Sequence, residues 1–185
     1  MGLVKTLKSR FSRRRADQDM VFALYNDLVG LARRQDLYKK FAIPDTLDGR
    51  FEAIVLHLAL FLVGTRDVLE GAGKRRLGRD LNQVFLKDMD RNLREMGVGD
   101  LSVGKQVKKM ASAHYGRLRS YEQALTGKDA SRQLKTALRR NLYRGEKVSG
   151  SKVAGLANYS LALYAKFKTL SAADILAAKI KGVVS

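Results

Sequence analysis

Apolar positions along this chain recur every three or four residues, the spacing that lines one face of a helix. Over residues 19–41 the stripe is Val21, Leu24, Tyr25, Leu28, Leu31 and Ala32 with polar residues opposite, so one helix is expected there. Pro44 then forces a break, because the residue before a proline is driven out of helical geometry. Asp45 or Asp48 is placed to cap the next helix, since a carboxylate accepts free backbone N–H groups and favours the positive end of the dipole. That helix holds the most apolar run, AIVLHLALFLVG, bounded by Glu52 and Arg66. The run is shorter than the roughly 20 residues a bilayer span requires, so a buried central helix is expected.

Further along, residues 71–78 carry several glycines together with Lys74, Arg75 and Arg76, and read as a solvated basic loop. A third helix over 79–96 should stop at Gly97 in the left-handed conformation, with Val98 folding back on Leu93. A fourth, over 102–125, presents Val103, Val107, Met110, Ala111, His114, Leu118, Tyr121 and Leu125 as one stripe, keeps Lys105, Lys108, Lys109 and Arg119 off it, and ends at Gly127. A fifth covers 131–143. The sixth, over 151–170, contains VAGLANYSLALYA, uncharged between Lys152 and Lys166, and offers a face to a partner. The last opens on Ser171 as N-cap with Asp174 as its reciprocal acid and Leu170 set to pack on Ile175. The pattern therefore predicts an all-α, single compact domain of about six to seven helices with no sheet.

Composition changes this picture in three ways. At 185 residues and 45% hydrophobic, the chain can fill one core. It has no cysteine, which removes disulfides, thiolate ligands and thiol nucleophiles together. Its net charge is +18, a field that attracts RNA, anionic lipid or an acidic protein without choosing among them. The excess is uneven: residues 100–185 hold 17 Lys and Arg against 5 Asp and Glu, residues 1–99 hold 19 against 13.

The first 15 residues, MGLVKTLKSRFSRRR, hold six basic residues and no acid. They lack the apolar stretch of a secretory signal, so the mature chain is expected to begin near Met1. Leu3, Val4, Leu7 and Phe11 fall on one side, with Lys5, Lys8, Arg13, Arg14 and Arg15 around them. Such a segment is either a disordered tail or a helix lying on an anionic membrane, and residues 16–185 are expected to form the folded domain. Lys74, Arg75 and Arg76 are further candidates for anionic-surface contact.

Catalytic and ligand motifs are thin. GDLSVGK at 99–105 matches a phosphate-binding loop for seven positions, but Gln106 stands where the magnesium-holding hydroxyl belongs and the preceding segment reads as helix. A tight interhelical turn, whose glycines allow close backbone approach, is the better reading. His57 and His114 sit in apolar stripes with no second ligand one turn away, which fits packed interior side chains. Asp88 and Asp90 are spaced to pair with Arg91 and Arg94 rather than to act as acid and base. No catalytic residue, metal or cofactor is expected.

Two blocks are more specific: IPDTLDGRFEAIVLHL at 43–58 and VFLKDMDRNLREMGVGDLSVGKQVKKMASAHYGR at 84–117. They resemble the ubiquinol-cytochrome c chaperone family, as do LYNDLVGLARRQDLYKKF at 24–41 and LKTALRRNLYRG at 134–145 in the same order. The resemblance implies an all-α fold and a non-enzymatic assembly factor that receives newly made cytochrome b for respiratory complex III. It also implies a second small assembly factor and the ribosome as further partners. The absence of a long presequence fits a bacterial member, cytoplasmic and peripheral to the inner membrane; a eukaryotic one would sit on the matrix side of the mitochondrial inner membrane. Asp45, Asp48, Arg50, Asp88, Asp90, Arg91, Arg94, Asp100 and Lys105 lie in the resembling blocks and are the expected partner-binding surface, unless they merely cap and brace helices. Two readings compete. One is a basic RNA- or ribosome-binding module, although no outward basic recognition helix is legible and DNA is not expected as a partner. The other is a peripheral membrane adaptor anchored by residues 1–15.

Overall fold

The computed structural model describes residues 2–68, 71–180 and 182, with side chains from residue 16 onward except at 71–75. Among the described residues eight helical segments follow one another: α1 (Gly2–Ala32), α2 (Gln35–Phe41), α3 (Leu47–Gly64), α4 (Gly71–Glu95), α5 (Asp100–Thr126), α6 (Ala130–Asn141), α7 (Gly150–Lys168) and the short α8 (Ala172–Leu176). No strand occurs among the described residues. The fold is an all-helical single domain.

α3 is its axis. Fourteen of its eighteen residues are buried, so it is wrapped on every side, as a helix apolar all round must be. α1, α5 and α7 pack against it; α4 closes on α1 and α5, and α6 on α5 and α7. Phe51, Phe61, Phe85, Tyr121, Tyr143 and Phe167 meet in the resulting core with a surrounding layer of leucines. Each such side chain contributes about 1.5–3 kcal/mol by leaving water.

Several helix ends differ from those the sequence pattern suggests. The helix expected at 19–41 is two: α1 stops at Ala32, and Arg34 is extended before α2 starts. The break is stabilised locally, because Tyr38 donates its hydroxyl to the Ala32 carbonyl (3.1 Å) and Arg34 holds Asp36, at the start of α2, through two hydrogen bonds of 2.8 and 3.1 Å. α1 also runs back to Gly2, so the backbone of 2–15 is helical; its side chains lie outside the described residues. Residues 71–78 are not a loop but the first turns of α4. Leu77, within this stretch, is buried in the core, which glycine content alone did not reveal.

The cap of α3 is Thr46, whose hydroxyl accepts from Gly49 N (3.1 Å), and not Asp45 or Asp48. Both aspartates are instead drawn to arginines. α4 stops as expected: Gly97 takes φ 81°, and Val98 N donates to Leu93 O (3.1 Å). Ser171 and Asp174 form the capping box, with Leu170 and Ile175 buried beside it. One face of the uncharged run of α7 turns inward, with Val153, Leu156, Ala157, Ser160 and Leu163 buried against the bundle, while Asn158, Ala162 and Ala165 on its other side are exposed.

Gly49 lets the α2–α3 corner close. A Cβ there would fall 1.9 Å from the Pro44 carbonyl oxygen. Gly49→Ala is therefore expected to lower stability by about 3 kcal/mol in urea titration, although alanine is the better helix former by about 1 kcal/mol. Gly104 faces open space in α5, and Gly104→Ala should raise stability by about 0.5–1 kcal/mol. Equal effects at the two positions would show that the close approach at Gly49 is not real.

Candidate functional site

The nine charged residues expected to form the partner surface resolve into three ionic groups. The first borders a polar cleft of about 910 Å³ between the α1–α2 corner, the α2–α3 linker and α4, lined by Arg33, Gln35, Tyr38, Lys39, Ile43, Asp45, Arg50 and Asn92. Arg50 holds Asp45 (2.7 Å), and this hydrogen bond lowers the Asp45 carboxyl below its usual range. Asn92, on the cleft wall, donates to the Asp88 carbonyl one turn back along α4 (2.6 Å). The Asp88 carboxylate accepts from Tyr25 of α1 (2.8 Å) and from Arg91 (2.6 Å), tying α1 to α4. Burial first, and then this hydrogen bond to Asp88, raise the Tyr25 hydroxyl far above its ordinary pKa.

The second group caps the α4–α5 corner. Arg94 reaches Asp90 one turn back (2.8 Å) and bonds Asp100 across the turn. Lys105 lies one turn further along α5, exposed. Residues 99–105 are thus an N-cap and the opening turns of a helix, preceded by helix α4. This is not a phosphate-binding loop, and the interhelical turn is confined to the residues before Asp100. A Cβ at Gly104 would meet no neighbouring element within 4 Å, so close backbone approach is not its reason.

The third group was only half legible. Asp48 pairs with Arg144 (2.8 Å), and Arg144 also donates to Glu52 (2.8 Å), which accepts a further bond from Arg117 (2.8 Å). The Glu52 side chain is 1% exposed. Burial pushes its carboxyl above the ordinary value, against the opposing pull of Arg144 and Arg117. Arg144 sits at φ 43°, in the left-handed region, and the Gly145 that follows at φ 87° completes the turn that brings its guanidinium over α3. A single acid at the head of the apolar run 53–63 was the available signal for Glu52; its partners, 65 and 92 residues away, had none.

Of the basic residues proposed for anionic contact, Lys5, Lys8, Arg13, Arg14, Arg15, Lys74 and Arg75 have side chains outside the described residues. Arg76 is engaged within the fold, with Asp17 of α1 (3.0 Å) and Asp80 (3.6 Å).

Residues 39–182 match the family profile described as ubiquinol-cytochrome C chaperone. The chain belongs to this family. The fold is also similar to the crystal structure of the Cbp3 homolog from Brucella abortus, with 31% identity, a TM-score of 0.80, and 94% of this chain aligned to 93% of that one. No curated protein matches. In this chaperone the first two ionic groups, the Glu52 group and the cleft rim from Lys39 onward all fall within the matched stretch, whereas Tyr25, Arg33 and the start of α1 precede it.

The two histidines are interior side chains. His57 Nδ1 lies 2.8 Å from the Ala53 carbonyl and so carries the proton, leaving Nε2 to accept from Tyr159 (2.9 Å). His114 stacks on Phe85 with ring centroids 4.4 Å apart, and its Nε2 faces the Asn82 side-chain oxygen at 2.7 Å. Burial lowers both to about 4 from the ordinary 6.5.

The unfolded chain therefore takes up these protons first, and the histidines' contribution to stability, complete above pH 6.5, is lost as pH falls toward 4. NMR titration should leave the His57 ring resonances unmoved from pH 7 to pH 5; a midpoint near 6.5 would contradict its burial. For the Glu52 group, Arg117→Ala is expected to destabilise by about 3 kcal/mol in urea, since it strips a partner from a buried charge. A loss below about 1 kcal/mol would mean that Glu52 sheds its charge by protonation.

Proposed function

We propose that this protein receives newly made cytochrome b and promotes its assembly into the ubiquinol-cytochrome c reductase, respiratory complex III. The observation that carries this reading is the match of residues 39–182 to the chaperone family, joined to a full-length likeness to the Cbp3 homolog of Brucella abortus. The chemistry of the candidate site agrees with holding. Its acids are paired with arginines at 2.6–2.8 Å; Asp45 with Arg50 braces the α2–α3 junction and Glu52 with Arg117 the α3–α5 junction, while Tyr25 on Asp88 braces α1 against α4. What remains available is a polar cleft with Arg33 and Lys39 among its lining residues, a surface suited to recognising a partner by shape and charge.

No described helix is long and apolar enough to cross a membrane. The protein is therefore read as working at the membrane periphery, on the cytoplasmic side in a bacterium, where an incoming cytochrome b is inserted. A second small assembly factor and the ribosome are the further partners this reading carries, and the +18 charge suits both an RNA-rich and an anionic lipid neighbour. The protein turns nothing over in this role; it shields an incomplete subunit until its partners arrive.

Deletion of the gene should lower cytochrome b, read from reduced-minus-oxidised spectra, and complex III, read on native gels, to less than about a tenth of wild type, with another respiratory membrane complex unchanged. Re-expression of the wild-type chain should restore both. An equal loss in the control complex would replace this reading with a general membrane or ribosomal role, and no loss in either would end it.

A further inference from the structure

α5 has an outer face that the fold does not use. Leu101, Lys105, Lys108, Ser112, Tyr115 and Arg119 are all exposed. At 100° per residue they fall within about 40° of one line and run about 27 Å along the helix. The opposite face is committed to the bundle, with Val103, His114, Tyr121 and Leu125 buried and Arg117 bonded to Glu52.

The outer face is cationic without compensation. α5 holds two acids, Asp100 and Glu122, and they are bonded to Arg94 and Arg66 respectively. Lys105, Lys108, Lys109 on the flank and Arg119 make no ion pair among the described residues. At the same end of the helix, apolar surface is left in water: Leu101 is 100% exposed, and Met96, just across the α4–α5 turn, is 60% exposed. Tyr115, 52% exposed, stands toward the far end of the row, one turn before Arg119.

We propose that this face of α5 is the surface by which the protein lies on an anionic phospholipid membrane. The inference rests on the peripheral-membrane reading above and assigns its contact. Lysines reach lipid phosphates from flexible stems, a tyrosine settles at the headgroup level, and Leu101 and Met96 gain by entering the acyl boundary. Charge complementarity selects an anionic partner, and the apolar end selects lipid over RNA. A single-strand groove gains most from several aromatic planes on which bases stack, and this row has one aromatic residue.

Purified full-length protein is sedimented with vesicles of phosphatidylcholine alone or mixed with phosphatidylglycerol. Wild type should bind only the mixed vesicles. Each exposed cation removed should weaken partitioning roughly fivefold at low salt, so the triple variant Lys105→Ala, Lys108→Ala, Arg119→Ala should bind about 100-fold more weakly. A variant losing the same charge elsewhere, Lys128→Ala, Arg139→Ala, Lys147→Ala, should stay within about threefold of wild type. Leu101→Ser should cost several-fold, and that loss should persist in high salt, where the lysine contribution is screened. Circular dichroism confirms folding, and all substituted positions are solvent-facing.

Equal binding by the triple variant and its charge-matched control would overturn the proposal. So would loss of binding that follows deletion of residues 2–15, or a triple variant that loses affinity for single-stranded RNA while keeping its vesicles. Failure of wild type to bind the mixed vesicles would overturn both this assignment and the peripheral-membrane reading, while leaving the dependence of cytochrome b on the gene to be judged by the deletion strain.

Discussion

The structure depends on placing a helix that is apolar nearly all round in the middle of the bundle while one carboxylate in it is kept from water. α3 can be buried only if Glu52 is answered from elsewhere, because an isolated carboxylate in an apolar interior costs several kcal/mol. The answer comes from Arg117 of α5 and Arg144 beyond α6, both at 2.8 Å. These two contacts set how far α5 slides along α3 and where the chain turns after α6. Arg144 takes a left-handed backbone conformation to reach the acid, and Asp48 in the first turn of α3 holds the same guanidinium from outside.

The same principle recurs at smaller scale. Tyr25 gives its hydroxyl to Asp88 and so fixes α1 against α4; Tyr143 gives its hydroxyl to the carbonyl of Phe41, where α2 ends; Tyr159 gives its own to His57. Each is an amphipathic aromatic with its ring in the core and its polar atom satisfied by a distant element. A core held by apolar area alone would tolerate sliding of one helix over another. These polar contacts specify a register.

Most acids are consumed in bracing the fold, and this bears directly on the outside of the molecule. With 36 Lys and Arg against 18 Asp and Glu, pairing leaves a surplus of cations, and the structure shows where part of it goes. The α4–α5 corner neutralises itself through Arg94, Asp90 and Asp100, whereas the cleft and the outer face of α5 do not. A family chaperone with these surfaces has a braced interior and two exteriors of different character, one concave and polar, one linear, cationic and apolar at its tip.

Sequence alone determined the all-helical class, the central helix, the Gly97 stop, the Ser171 capping box and the interior histidines, because each follows from contacts within a few residues or from a helical period. The family was also legible, from blocks whose residues are specific in order and spacing. The helical start of α4 and the packing of α7 were decided by tertiary structure, since each depends on what a distant element offers in packing, whereas the Arg34 break and the Thr46 cap rest on contacts within six residues that the apolar period does not report. The same holds for the site. Asp88 with Arg91 and Asp90 with Arg94 are neighbours along one helix and could be paired on paper. Glu52 with Arg117 and Arg144 could not, because the desolvation that makes that group matter exists only once α3 is enclosed.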